Sequence, residues 1–344
     1  MPTRQKIIDI FCHFMPTGYC REIERYKIGD NRMFNMCSQM PSLVSLEQRL
    51  DLISELPGYR QVLSIVGPSP EILVPDDRVP SVVQTGNELL AETVRDNPSY
   101  FSGFIASLPM ANVDSMLDTA ERAVTQMGAC GVQVPTNIRG RSIDNQEYMG
   151  LFELAARMEF PIWLHPVRGQ EHSDYPTENY SKYELWWALG WPYETSVSMS
   201  RLVFSGVFAR WPNLKIIAHH AGGMIPMILG RINAGLKVMG RRTPEHLQDE
   251  LTKTDIDNAV THMENFYIDT ACFGHQPAIE CGLKTFGENH ILFASDMPFG
   301  LNGGRYILER TIQNINELNV DDFIKTKIFS GNARTILNLR NKEN

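Results

Sequence analysis

The 344-residue chain contains no uninterrupted apolar stretch approaching the about 18 residues that a membrane helix requires, which excludes a spanning segment. Cysteine is scarce. The six present (Cys12, Cys20, Cys37, Cys130, Cys272 and Cys281) form no Cys-x-x-Cys pair and suit a reduced, cytoplasmic chain. Cys12 or Cys281 could serve as a reactive thiol, but a small buried apolar role fits either better. There is no Lys/Arg-rich tail and no basic stripe, and the formal charge of −8 argues against nucleic acid as a partner. The opening residues Met1–Lys6 run into a predicted strand without the apolar core of a signal peptide. No Gly-x-Gly-x-x-Gly follows that strand, which disfavours an open dinucleotide-binding sheet. With no internal repeat and no low-complexity linker, one domain over residues 1–344 is expected.

What is present is an ordinary globular composition, 43% hydrophobic and 21% charged, with a sizeable core. Eight strand-like runs can be marked: Lys6–Phe11, Gln61–Val66, Phe101–Leu108, Gly131–Val134, Pro161–His165, Leu214–His219, Asn265–Thr270 and His290–Ser295. Continuous apolar runs such as Ile162-Trp163-Leu164 and Ile216-Ile217-Ala218 suit strands covered on both faces. Helical patterns lie between or after them, at Leu46–Leu56, Val82–Asn97, Val113–Met127, Asn145–Arg157, Glu194–Arg210, Met224–Met239 and Arg305–Glu317. Strands alternating with helices predict an α/β fold, a (β/α)8 TIM barrel. Long loop insertions are expected after strand 1 (Pro16–Leu43) and strand 5 (Val167–Tyr193), on the face where barrel enzymes build their sites. The segments Asp321–Phe329 and Asn332–Leu339 read as a terminal cap.

The chemistry lies at the strand ends. His13, His165, the pair His219/His220 and Asp296 each close an apolar run, so a closed barrel would bring them to one rim. A strand-end His or Asp often does no more than cap a loop, but four at one rim point to a shared polar site. Strand alternation predicts that Asp9, Phe11 and His13 face together while Ile10 and Cys12 face away, and that only one of His219 and His220 points inward. Phe11 stands where a second donor on strand 1 would be expected, and a phenyl ring has no lone pair to give a metal.

The segments Asp9-Ile10-Phe11-Cys12-His13, His165-Pro166, His219-His220-Ala221-Gly222-Gly223 and Ser295-Asp296-Met297-Pro298 together resemble the amidohydrolase superfamily. The nearest branch by these motifs holds aminocarboxymuconate semialdehyde decarboxylase and γ-resorcylate decarboxylase. Gly190-Trp191-Pro192-Tyr193-Glu194-Thr195 and Trp211-Pro212-Asn213-Leu214-Lys215 are similar to the same branch. The resemblance implies one divalent metal, zinc ahead of manganese, held by His13, His165 and Asp296, and His220 as acid/base, with His219 the alternative. Asp296 could itself donate a proton. Two His and one carboxylate are an accepted zinc set, so Phe11 would weaken binding without abolishing it. It also implies an apolar wall or stacking ring at Phe11, and Arg49 meeting a substrate carboxylate. Arg168 could reach the same mouth, and Trp191, with Trp186 and Trp187, could wall a planar ligand or pack the insert.

The function implied is nonoxidative decarboxylation of a carboxylated aromatic or unsaturated acid, a small-molecule substrate, by a homo-oligomer of two or more chains. Two alternatives stand beside it. One is a mononuclear metal-dependent hydrolase or hydratase on the same barrel. The other is a non-catalytic binding protein that lost its metal with the ligand at position 11.

Overall fold

The computed structural model describes residues 6–236, 238, 244–245 and 259–339. Eight parallel strands follow one another around the sheet in sequence order. They are β1 (Ile7–His13), β2 (Tyr59–Ser64), β3 (Phe101–Ala106), β4 (Gly131–Pro135), β5 (Ile162–His165), β6 (Ile216–Ala218), β7 (Tyr267–Asp269) and β8 (Ile291–Leu292). The last returns to the first: Ile10 N–H donates to the Phe293 carbonyl at 3.0 Å, and His13 N–H to that of Met297 at 2.7 Å. A sheet closed this way leaves no unpaired edge, and its strand ends converge on one face.

The connecting helices follow from local chemistry. In Val113–Thr125, Asn112 caps the first turn by accepting from Ser115 N–H, and Met116, Ala120 and Ala123 form the one buried stripe. The Pro16–Leu43 stretch is built of helices (Thr17–Tyr26, Arg32–Ser38 and Pro41–Val44). After β5, residues 166–184 carry no helix or strand before the short turn Leu185–Ala188 and the long helix Gly190–Phe204. The predicted Met224–Met239 helix runs over Ile225–Leu236, and Met239 lies outside the described residues.

Inside the barrel, Ile8, Ile10, Phe11, Val62, Ile105, Trp163, Ile217, Leu292 and Ala294 pack together. Trp163 fills the axis, and its indole N–H donates to the Ile10 carbonyl at 3.2 Å. Gly131 makes room for it, because a Cβ there would lie 2.8 Å from the Trp163 ring and 2.2 Å from the Pro161 carbonyl. Ala333, Ile336, Leu337 and Leu339 join the interior cluster and plug the end opposite the strand-end histidines, as the cap reading expected.

One alternation expectation fails. In the β1–β2 register Asp9 pairs with Gln61 but Cys12 with Leu63, so three steps on β1 match two on β2. This β-bulge turns both Ile10 and Phe11 inward and leaves Asp9 on the outer side, away from Phe11 and His13. There Asp9 laces three strands: Tyr59 Oη donates to it at 2.6 Å, Ser295 Oγ at 2.5 Å and Ser295 N–H at 3.2 Å.

Candidate metal centre and active site

His13, His165, His219, His220 and Asp296 meet at the C-terminal rim of the barrel, and all but the tip of the cluster is buried. Asp296 is the hub. Its Oδ1 lies 3.0 Å from His13 Nε2 and 3.4 Å from His219 Nε2, and its Oδ2 lies 3.7 Å from His220 Nε2. The ligand atoms of His13, His165 and His219 all lie within 4.8 Å of one another, as do those of His219, His220 and Asp296. Asp296 reaches this post because its backbone is left-handed, φ 62°, a conformation Asp tolerates better than most residues.

Both histidines of the pair face the site, against the expectation that only one could. The strand stops at Ala218, so the two-residue period no longer applies. His220 (φ 57°), Ala221 (56°), Gly222 (74°) and Gly223 (64°) then form a consecutive left-handed run. Two non-glycine residues in that region cost about 1–3 kcal/mol each, so something must hold them. Asp269, at the end of β7, does so: Oδ1 accepts from Ala221 N–H at 3.1 Å and from Ala271 N–H at 3.0 Å, and Oδ2 takes the His219 Nδ1 proton. Asp269 is a positioning residue that the strand-end reading passed over, although it closes the seventh run as plainly as Asp296 closes the eighth.

Electrostatics follow from burial and neighbours. Burial pushes His13 and His220 below the usual imidazole range, and His165 well below it, where the nearby histidines add to the effect. For His219, burial acts the same way but is outweighed by the Asp269 carboxylate, with Asp296 contributing, and its pKa rises to about 9. Asp296 is buried too, yet the three surrounding imidazoles hold it well below the carboxylate range. Burial drives the Cys12 thiol well up, which removes it as a reactive thiolate.

The donor set fits a divalent metal. His13 Nε2 is buried 3.0 Å from Asp296 Oδ1, so two potential ligand atoms face the same point. The other nitrogen, Nδ1, is engaged by Ser64 Oγ at 3.0 Å. His165 Nδ1 is likewise engaged by the Pro166 carbonyl at 2.8 Å, leaving Nε2 for the centre. Metal-ligating histidines characteristically have their second nitrogen tied in this way.

Phe11 is fully buried, with its ring 5.1 Å from His13 and stacked on His219 at 3.8 Å and 12°. Trp191 stands at the mouth, 5.8 Å from His165 and 6.2 Å from His220, with Trp186 and Trp187 packed on it. Phe273, which the sequence reading did not single out, lies on His220 at 6.1 Å and 21°.

Of the two candidate arginines, Arg49 is placed differently from expectation. Arg49 is fully buried behind β1, where Nε donates to the Ser42 carbonyl at 3.0 Å, Nη1 to Gln61 Oε1 at 3.3 Å, and Nη2 to the His13 carbonyl. Its donors are committed to holding the end of β1, so it does not reach the mouth. Arg168 pairs with Glu194 at 3.0 Å and is partly exposed. A groove of about 510 Å³, bordered by Thr136, His172, Glu194 and Arg201, contains none of the clustered histidines nor Asp296.

The profile of the amidohydrolase family matches residues 8–339. The chain belongs to the amidohydrolase family. Among curated proteins, this amidohydrolase is 27% identical over 253 residues to 2-amino-3-carboxymuconate-6-semialdehyde decarboxylase of Dictyostelium discoideum, covering 74% of the chain and 65%, just under two thirds, of that protein. It is 29% identical over 311 residues to gamma-resorcylate decarboxylase of a Polaromonas species, covering 85% and 87% of the two chains. Among solved structures, a dihydroxybenzoic acid decarboxylase from Polaromonas with bound manganese and 2-nitroresorcinol superposes with a TM-score of 0.73 at 22% identity, over 98% of each chain. That likeness establishes the barrel of this amidohydrolase. Among the described residues no helix is long and apolar enough to cross a membrane.

Proposed function

We propose that this amidohydrolase is a metal-dependent nonoxidative decarboxylase of an aromatic or unsaturated carboxylic acid. The observation that carries it is a rim where the donor atoms of His13, His165 and His219 lie within 4.8 Å of one another and Asp296 Oδ1 lies 3.0 Å from His13 Nε2, beside an imidazole, His220, near-parallel to the rings of Trp191 and Phe273. The decarboxylases to which the chain is similar give the reaction class. A divalent cation held by His13, His165 and Asp296 would supply Lewis acidity toward the substrate carboxylate. Arg49 donates to the Ser42 and His13 carbonyls and to Gln61 Oε1, and Arg168 is paired with Glu194, so neither of these two arginines offers a free charge for that carboxylate, which favours the metal as its partner. The nitrogen-rich donor set suits zinc first, and the manganese in the Polaromonas structure makes that ion the second choice.

The protein's own groups do the rest. Trp191 and Phe273 lie within 23° of the His220 plane and offer near-parallel aromatic faces to a planar substrate. His220 is neutral at neutral pH, and its buried Nδ1 has no partner. It can therefore take up a proton and deliver it to the carbon bearing the carboxylate, while Asp296 Oδ2 at 3.7 Å stabilises the imidazolium. The C–C bond then breaks, CO2 leaves, and the bonding pair returns to the unsaturated system, so hydrogen stands where the carboxyl was. Asp296, held ionised by its neighbours, orients and stabilises but is a poor proton donor in the resting site. The exposed Tyr175, Tyr180, Tyr183, Leu185 and Leu189 after β5 offer apolar surface for the homo-oligomer that this reading expects.

The test is CO2 release from a panel of dihydroxybenzoates and dienoic acids by protein loaded with Zn2+ or Mn2+. Release that stops on chelation and in Asp296→Ala supports the reading. Hydrolytic or hydration turnover without CO2 overturns it, and so does unaltered CO2 release in Asp296→Ala.

A further inference from the structure

We infer that His219 is a fourth metal ligand that compensates for Phe11, and that the adjacent His220 is not a ligand. This rests on the reading of His13, His165 and Asp296 as a metal set, and assigns to the doubled histidine a division of labour.

The first argument is placement. Imidazole nitrogens of His13, His165 and His219 converge within 4.8 Å, and His219 Nε2 lies 3.4 Å from Asp296 Oδ1, the oxygen that also faces His13. His219 thus shares a focus with the other donors. His220 also lies within 4.8 Å of His219 and Asp296, but it approaches the opposite oxygen, Oδ2, from 3.7 Å and is not grouped with His13 and His165.

The second argument is the state of each ring's other nitrogen. Nδ1 is tied in His13 by Ser64, in His165 by the Pro166 carbonyl and in His219 by Asp269. Tying Nδ1 as the N–H tautomer leaves the Nε2 lone pair pointing at the centre, the arrangement that ligating histidines require. A carboxylate partner also raises the basicity of the ligand. In His220 the buried Nδ1 has no partner at all, so nothing fixes its tautomer. That suits a group that changes protonation and not one that holds a cation.

The third argument is Phe11 itself. Its ring lies flat on His219 at 3.8 Å, inside the barrel where a donor on β1 would stand. The phenyl face fixes the plane of His219 while giving up any ligand role. The donor lost from β1 is returned from β6, and the set becomes three imidazoles and one carboxylate.

Protein freed of metal and titrated with Co2+ tests this without relying on turnover. In the Co2+-loaded unaltered protein, proton NMR should show three hyperfine-shifted exchangeable imidazole N–H signals, from His13, His165 and His219. Two signals would overturn the assignment. His219→Gln should weaken Co2+ affinity by about 10- to 100-fold and alter the visible ligand-field bands, whereas His220→Gln should leave both unchanged. If His219→Gln keeps the unaltered affinity and bands while His165→Gln loses the metal, His219 is no ligand but the site stands. If His165→Gln also keeps the metal, the site reading itself is wrong, and this inference goes with it.

Discussion

Asp269→Asn is the sharpest probe of how the centre is organised, because it changes one charge and almost no volume. Asp269 Oδ1 is occupied by the Ala221 and Ala271 N–H groups, so the amide oxygen of the variant must take that position and its NH2 must face His219 Nδ1. An NH2 cannot accept the Nδ1 proton. His219 is then driven to the other tautomer, with its proton on Nε2 and no lone pair toward Asp296. Losing a charge-assisted hydrogen bond in favour of a neutral one costs about 1–1.5 kcal/mol. The forced tautomer adds to this, so the total falls within the 10- to 100-fold loss of metal affinity typical of such outer partners, about 1.4–2.8 kcal/mol. Competition against a chelator of known affinity measures it, with circular dichroism confirming the fold. Asp269→Ala should lose more, since it also releases the left-handed run at His220 and Ala221. Equal metal affinity in Asp269→Asn and the unaltered protein would refute the claim that this carboxylate sets the tautomer of His219.

Three further outcomes are expected. Arg49→Ala should destabilise the fold by about 3 kcal/mol or more, read as a urea midpoint shift, because three buried acceptors (Ser42 O, Gln61 Oε1 and His13 O) lose their donor; a change confined to KM would show instead that this arginine meets substrate. Phe11→Ala should cost about 3–5 kcal/mol for the cavity left on the His219 ring, and Phe11→Leu clearly less; thermal melts of the metal-free forms separate the two. In metal-free protein, His13, His165 and His220 are held below the usual imidazole value of about 6.5, so the unfolded chain binds protons that the native state refuses. Their stability contribution is fully present above about pH 6.5 and is lost as pH falls through the depressed native values. His219, raised to about 9, contributes with the opposite sign and loses its share as pH rises toward that value. The urea midpoint should accordingly peak between these limits; a midpoint still rising between pH 7 and 9 would contradict the His219 assignment.

The fold was legible because a parallel barrel writes itself as buried β-branched runs separated by amphipathic helices, although the helix Gln276–Phe286 between β7 and β8 was not among the patterns read. The site was legible for the same reason. Residues at the ends of strands must approach one rim once the barrel closes: His165 lies with His13 and His219, and Asp296 with His219 and His220. What could not be read is geometry that breaks the strand period. The bulge at Ile10–Phe11 moves Asp9 to the outer side without any glycine or proline to announce it. The left-handed run from His220 lets two adjacent histidines face one cavity, which no two-residue alternation permits. Arg49 failed as a prediction because sequence position locates a helix but not the direction of a long side chain, and a buried backbone carbonyl competes well for a guanidinium.

The same barrel logic explains why a phenylalanine can stand at a ligand position without emptying the site. Every strand of the barrel ends within reach of one focus, so a donor removed from β1 can be supplied by another strand if its ring is aimed and its tautomer fixed. β6 meets both conditions here, through the stack on Phe11 and the bond to Asp269. Neither suffices alone: an aimed ring with a free Nδ1 can place its proton on either nitrogen, and a fixed tautomer on a loose ring seldom points at the centre. Phe11 and Asp269 should therefore behave as a coupled pair. Their double variant should lose less metal affinity than the sum of the two single losses, because either change alone already misplaces the same Nε2 lone pair. Strict additivity in that cycle, measured by chelator competition, would mean that the two residues act on different ligands and that the compensation through His219 is not how this centre is built.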